Sequence, residues 1–206
     1  MTKEIHRPLA VRKGFIYEIP TRNSGCIPNE ILKMIDNEIH KLLREYPCLK
    51  GEISEIVFED IGNDIARASI DRSMKIRLKF NVVAFSDKKI INSILNSSFI
   101  SLTPKDGLLG FLKHEFIHML EYRHCKLHSE DIEIMWNNIC SGYYANEILC
   151  DSLKYCNLEK NDGIIESKIS YYATISASEA IAEACSSNVD NNLIKTIKRL
   201  VKERWN

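Results

Sequence analysis

The chain has 206 residues, of which 45% are hydrophobic, and its 28 basic side chains balance its 28 acidic ones. Such a chain is long and apolar enough to bury the core of one domain, and its balanced charge gives it no overall attraction to nucleic acid. The N-terminal residues lack the apolar core of a signal peptide, and no apolar run approaches the length of a membrane span. Seven cysteines without a C-x-x-C pair are typical of reduced thiols. We therefore expect a cytoplasmic single-domain protein whose partner is neither nucleic acid nor a membrane.

The N-terminal half alternates between interrupted and periodic stretches. Residues 1–27 place prolines and glycines between short apolar pieces, which predicts an irregular arm or an edge strand. In residues 28–46 apolar side chains recur at helical spacing, and the proline that follows ends this predicted packing helix. Residues 53–59 then predict a strand, and residues 62–64 predict a turn.

The clearest strand of the sequence runs from Met74 to Val82. Apolar and polar residues alternate over this stretch, which is the period of a strand with one buried and one wet face. The wet face carries Lys75, Arg77 and Lys79, and basic side chains of this kind are typical of the edge of a sheet. We therefore expect a solvated sheet edge here rather than a basic binding patch.

The C-terminal half is mainly helical in its pattern. It predicts, in order, a short helix at 90–99, a strand at 99–102, a helix at 104–123, helical segments through about 136–155, a break at 161–163, a helix beginning near 179 and an amphipathic helix at 192–205. The predicted fold class is α+β, with a small mixed sheet packed on the 104–123 helix. One domain, 1–206, would comprise an α/β part of about residues 1–103 and a mostly helical part of about residues 104–206.

An H-E-x-x-H motif lies inside the predicted helix 104–123. His114 and His118 are four residues apart, so they project from one helix face, one turn apart, and can bind a single metal ion. This geometry favours zinc, and Glu115 lies one position further round, where it can act as general base on a water at the metal. The expected cofactor is therefore Zn²⁺.

A catalytic zinc site needs a third protein ligand, and the sequence offers two candidates. His124 completes the spacing of metzincins, but Glu121 occupies the position where those proteins have glycine. The helix is therefore expected to continue and to turn His124 away from the metal. Glu179, on a later helix, would instead complete a set of two histidines and one glutamate. Glu121 itself lies on the histidine face of the helix and is either a further hydrogen-bond acceptor or an exposed acid, of which we expect the exposed acid.

Glu179 also has a purely structural interpretation. Ser176 and Glu179 match a capping box, in which both side chains satisfy backbone N–H groups at the start of an ordinary helix. Glu183 lies one turn after Glu179 on the same face, where it can accept a hydrogen bond from a ligand histidine and fix its tautomer. The joint occurrence of Tyr172, Glu179 and Glu183 favours the ligand interpretation.

The tyrosine and the E-x-x-A-E sequence downstream of H-E-x-x-H, at residues 172–183 and 114–118, resemble a known group of enzymes. These are the gluzincin metallopeptidases related to the catalytic domain of anthrax lethal factor, which include the Pro-Pro endopeptidases. The resemblance implies a zincin-like fold and a complete set of site roles: zinc on His114, His118 and Glu179, Glu115 as the base, Tyr172 as the group that steadies the oxyanion, and Glu183 behind the ligands. The adjacent Tyr171 would take the role of Tyr172 if the register differed by one residue.

The resulting functional prediction is a zinc-dependent metalloendopeptidase that hydrolyses a peptide or protein substrate. By analogy with the group, the substrate would lie extended along an exposed strand edge, supplied by residues 75–81 or 99–102. The alternative is a non-catalytic or regulatory zincin-like protein of a phage or mobile element, which acts on or binds one intracellular partner.

Overall fold

The computed structural model describes residues 14–95 and 107–206. Within these ranges the fold is α+β, with one mixed five-stranded sheet. The strands are β1 (Phe15–Ile16), β2 (Ile19–Arg22), β3 (Ile53–Glu59), β4 (Ala66–Ile70) and β5 (Ile76–Asn81). The helices are α1 (Asn29–Glu45), α2 (Val82–Phe85), α3 (Lys88–Leu95), α4 (Gly107–His128), α5 (Ile132–Ser141), α6 (Tyr143–Tyr155), α7 (Asp162–Lys168), α8 (Ala177–Ser186) and α9 (Asn192–Trp205).

The sheet has the strand order β1-β2-β3-β5-β4. β3 is parallel to both β2 and β5, whereas β4 is antiparallel to β5 and forms an edge of the sheet. β5 is therefore an interior strand, and the prediction that this segment forms a sheet edge is wrong. Its basic side chains face acids instead: Arg77 lies 2.6 Å from Asp71, and Lys79 lies 2.7 Å from Glu59. The alternating sequence pattern does not show whether these basic side chains form ion pairs within the sheet or lie at a solvated edge.

The first helix forms where the sequence predicts it, because its apolar residues share one face. These residues are all buried in the common core: Ile31, Leu32, Ile35, Ile39, Leu42 and Leu43. Full burial of one such side chain contributes about 1.5–3 kcal/mol, so this face attaches α1 firmly to the core. β3 and α9 also have their predicted bounds.

The sequence patterns do not predict β4 or α7. β4 carries small and polar residues rather than alternating large apolar ones, and α7 begins inside the predicted break. The side chain of Asn161 caps α7 by accepting the N–H of Ile164 at 2.9 Å. The predicted helix at 90–99 corresponds to α3 as far as Leu95. The predicted strand at 99–102 and the predicted helix start at 104 lie outside the described residues.

The helix α4 lies at the centre of the molecule. It contacts the edge strand β4 on one side and the helices α1, α5 and α8 on others. Because it is surrounded in this way, the polar residues His114, His118 and Glu121 are buried together with its apolar ones. In the part of the chain that the structure describes, no helix has the length and apolar character needed to cross a bilayer.

Candidate metal centre

The two histidines of the H-E-x-x-H motif face the same side of α4. Their Nε2 atoms are 3.2 Å apart, and His114 and His118 are 8% and 9% exposed. The four-residue spacing on a helix produces this arrangement, since it places the two rings one above the other. Two imidazole nitrogens are thereby presented to one point.

Glu179 extends from the first turn of α8 toward these imidazoles. Its Oε2 atom lies 3.0 Å from Nε2 of His114 and 3.6 Å from Nε2 of His118. Its backbone is capped at the same time, because its N–H donates to the hydroxyl of Ser176 at 3.2 Å. Only the serine half of the predicted capping box is observed, since Ser176 caps the backbone while the carboxylate of Glu179 faces the histidines.

The three ligand atoms are spaced as a tetrahedral zinc site requires. Zinc bonds of about 2.0–2.1 Å at tetrahedral angles separate the ligand atoms by about 3.3 Å, and the observed separations are 3.0, 3.2 and 3.6 Å. Oε2 of Glu179 is also buried without a well-directed hydrogen bond among the described residues, which is costly unless a cation or a proton satisfies it. His114, His118 and Glu179 thus form one group with the geometry of a metal site.

The charges around this group favour a cation. Burial acts to lower the pKa of His114, but interactions with Glu179 and Glu183 outweigh it and raise the pKa to about 9. Burial acts in the opposite sense on Glu179, yet the two imidazoles hold its pKa well below the usual range. The carboxylates therefore create a negative potential at the imidazoles, which stabilises a proton or a bound cation there.

Glu115 lies where α4 meets the sheet. Its Oε2 atom accepts a hydrogen bond of 2.5 Å from the backbone N–H of Ala68 in β4. Burial raises the pKa of Glu115, although the two neighbouring imidazoles act against this shift. A partly buried carboxylate with a raised pKa, adjacent to a candidate metal-binding group, is suited to exchanging protons.

Glu183 lies behind His114 and is fully buried. Its Oε1 atom is 3.0 Å from Nδ1 of His114, and its Oε2 atom accepts a hydrogen bond of 3.2 Å from the hydroxyl of Ser170. The carboxylate is therefore held between the His114 ring and the loop that carries Ser170. The sequence gives no indication of Ser170, because no spacing rule connects it to the motif.

Tyr172 lies in a 3₁₀ turn, Tyr172–Thr174, that precedes α8. Its ring centroid is 6.3 Å from that of His114, and it lines the cleft into which the group opens. Burial, together with the charge of Glu179, raises the pKa of Tyr172 to about 12, so its phenol stays protonated at neutral pH. Tyr171 is 60% exposed, so of the two tyrosines it is Tyr172 that lies beside His114.

The helix α4 continues past Glu121, as the absence of glycine predicts. His124 therefore packs elsewhere, with ring centroids 4.2 Å from His128 and 4.6 Å from Tyr144. It is not one of the three residues whose ligand atoms converge. Burial, reinforced by the charge of His128, lowers the pKa of His124 to about 4.

Glu121 contradicts the prediction of an exposed acid. It is 2% exposed, and its Oε1 atom accepts a hydrogen bond of 2.9 Å from the hydroxyl of Ser178. Burial raises its pKa to about 7. The prediction failed because an isolated acid on a helix is normally exposed, whereas here α6 and α8 cover this part of α4.

The three converging residues, His114, His118 and Glu179, line a cleft of about 980 Å³. Residues of β4 line the cleft, as do the aliphatic side chains of Val83, Ile90 and Ile94. Tyr122 lines it as well, with its ring stacked on His118 at a centroid separation of 6.5 Å. Sequence reasoning missed Tyr122, although its position one turn after His118 places it on the same helix face.

Comparisons with known proteins add nothing to this geometry. No protein-family model, curated protein or solved structure matches the chain. The resemblance at residues 114–118 and 172–183 therefore stays a prediction.

Proposed function

We propose that this chain is a zinc-dependent metalloendopeptidase with a zincin-like fold and the two-histidine, one-glutamate ligand set of gluzincins. The observation that carries the proposal is the convergence of His114, His118 and Glu179 beside the partly buried carboxylate of Glu115. Structural zinc sites are normally closed by four protein ligands, whereas three protein ligands beside a cleft leave a position for water and substrate.

Each residue of the proposed site has a distinct role in peptide hydrolysis. When bound, zinc would polarise the substrate carbonyl and make a water molecule acidic enough to lose a proton near neutral pH. Glu115 accepts that proton and, because its pKa is raised, passes it to the leaving amine. The N–H of Ala68 holds the Glu115 carboxylate in place. Tyr172, which is neutral at this pH, donates a hydrogen bond to the oxyanion that develops on the substrate.

The proposed substrate is a peptide in an extended conformation. Among the described residues, β4 is an edge strand beside the cleft, and its residues Ala66, Arg67 and Ala68 line the cleft. A peptide can add to such an edge through main-chain hydrogen bonds. β4 replaces residues 75–81 in this role, because β5 already pairs with a strand on each side. Residues 99–102, the other expected edge, lie outside the described residues.

The aliphatic residues of the cleft favour an apolar substrate side chain. Val83 and Ile90 are 59% and 43% exposed, and both line the cleft together with Ile94. An apolar side chain bound there would remove this surface from water, which is favourable. We therefore expect cleaved peptides to carry an apolar residue close to the scissile bond.

The test compares the wild-type protein with Glu115→Gln in the digestion of a peptide library. Glutamine keeps the shape of the side chain but cannot accept the proton, so cleavage should fall by about 100-fold or more while zinc content is retained. Glu166→Gln, an exposed substitution on α7, is the matched control and should cleave normally. Unchanged cleavage by zinc-loaded Glu115→Gln would refute the mechanism. Bound zinc without cleavage by the wild type would favour the non-catalytic or regulatory alternative.

A further inference from the structure

The buried carboxylate of Glu121 takes no part in the proposed chemistry. It lies on α4, three residues after His118, and is 2% exposed. Burying a carboxylate is costly unless hydrogen bonds compensate for the lost water. The groups around this carboxylate therefore indicate which part of the protein Glu121 positions.

The starts of two other helices influence this carboxylate. The hydroxyl of Ser178, in the first turn of α8, donates to Oε1 at 2.9 Å. The backbone N–H of Ala145, in the first turn of α6, acts to lower the pKa of Glu121 and so favours its charged form. α6 has no side-chain cap of its own, because Gly142 precedes it. A carboxylate of α4 is thus bound by the start of α8 and lies near the start of α6, where a helix favours negative charge.

Gly142 packs against Ser178, which also binds Glu121, and these three residues form a joint between α4, α6 and α8. Its φ is 60°, and a Cβ at this position would lie 2.9 Å from the hydroxyl oxygen of Ser178. Glycine adopts this conformation without strain and leaves room for the hydroxyl. Ser178 is therefore confined between Glu121 and Gly142.

We propose that Glu121 is a positioning residue that acts through Ser178 to fix Glu179 at the two imidazoles, and so sets the affinity for the metal. Ser178 directly precedes Glu179 in the first turn of α8, so a displacement of one moves the other. The 3.0 Å separation between Glu179 and His114 depends on where this turn lies. The inference rests on the metal centre of the proposed function, but not on the reaction.

The experiment measures the zinc affinity of the full chain by competition with a chelator, together with the visible absorption spectrum of the Co²⁺ form. Ser178→Ala and Glu121→Ala should each weaken zinc binding by about 10-fold or more, as removal of groups that orient a ligand does. Both should also change the Co²⁺ spectrum, which reports ligand geometry. Glu121→Gln keeps an acceptor oxygen for Ser178 and should recover most of the affinity.

Leu200→Ala is the matched control. It removes a side chain that is 2% exposed on α9, a helix that contributes no residue to the joint. It should lower the unfolding temperature without changing zinc affinity or the Co²⁺ spectrum.

Wild-type zinc affinity and an unchanged Co²⁺ spectrum in Ser178→Ala and Glu121→Ala would overturn the inference. An equal loss of affinity in Leu200→Ala would overturn it too, because the effect would then follow from stability alone. Zinc binding without peptide cleavage in the wild type refutes only the peptidase proposal, and the variants' affinities still decide the inference. A wild-type protein that binds no zinc overturns both.

Discussion

Nδ1 of His114 lies 3.0 Å from Oε1 of Glu183, so the other ring nitrogen, Nε2, faces Glu179. A carboxylate behind a ligand histidine fixes the tautomer and the orientation of the ring, and it makes the free nitrogen a stronger metal ligand. The hydroxyl of Ser170 binds the second oxygen of Glu183 and keeps the carboxylate in this position. Glu183 therefore orients His114 so that its Nε2 atom can bind a metal ion.

Glu183→Gln should weaken zinc binding by about 10- to 100-fold, because the amide lacks the charge that strengthens the imidazole as a ligand. Competition with a chromophoric chelator measures this change. The exposed Glu166→Gln serves as the control for the loss of one negative charge. Equal zinc affinities in the two variants would contradict the role of Glu183.

The stabilisation of the fold by zinc shows whether Glu179 or His124 is the third metal ligand. Zinc at about 1,000 times its dissociation constant should stabilise the wild-type fold by about 4 kcal/mol, and removal of the metal with a chelator should reverse this effect. Glu179→Gln should lose most of the stabilisation, whereas His124→Gln should retain it, because His124 is not part of the converging group. The reverse pattern would restore His124 as the third ligand.

Gly142→Ala should destabilise the protein even without metal. A side chain at φ 60° is strained, and the new Cβ would also press on the hydroxyl of Ser178. We expect the free energy of unfolding to fall by about 1–3 kcal/mol in urea titrations. Adding Ser178→Ala should recover part of this loss, since it removes the crowded oxygen. A Gly142→Ala variant as stable as the wild type would argue against the close approach.

Protonation of His124 should destabilise the fold in acid. Its pKa is lowered from the ordinary 6.5 to about 4 by burial and by the charge of His128. Between pH 6.5 and about pH 4, His124 is protonated in the unfolded chain but not in the folded protein. The stability that neutral His124 contributes is therefore complete above pH 6.5 and is lost as the pH falls toward about 4. In metal-free protein, the urea midpoint should drop less between pH 7 and pH 5 in His124→Gln than in the wild type. Equal drops would contradict this assignment.

The sequence predicts elements well where one face carries a continuous apolar pattern. α1, β3 and α9 each have such a face, and each lies within a residue of its expected bounds. β4 has only one large apolar residue, Ile70, so its position at the sheet edge follows from pairing with β5 rather than from its own pattern. The interior position of β5 also cannot be predicted from its own residues, because its basic side chains form ion pairs with acids from other parts of the chain.

Spacing on a helix determines which side chains share a face, so part of the site could be predicted from it. This rule pairs His114 with His118 on α4 and Glu179 with Glu183 on α8, but it does not by itself bring the two helices together. The burial of Glu121 could not be predicted in this way, because it depends on the contact of α6 and α8 with α4. The hydrogen bond from Ala68 to Glu115 depends on the same kind of contact between distant segments.

Every role proposed for this site requires one metal ion bound by His114, His118 and Glu179. A crystal of the zinc-loaded protein, measured at the zinc absorption edge, would show the ion and its ligands together. We expect one anomalous peak about 2.0–2.2 Å from Nε2 of each histidine and from a carboxylate oxygen of Glu179. An anomalous peak at other residues, or bound zinc with Glu179 turned away from it, would refute this metal site.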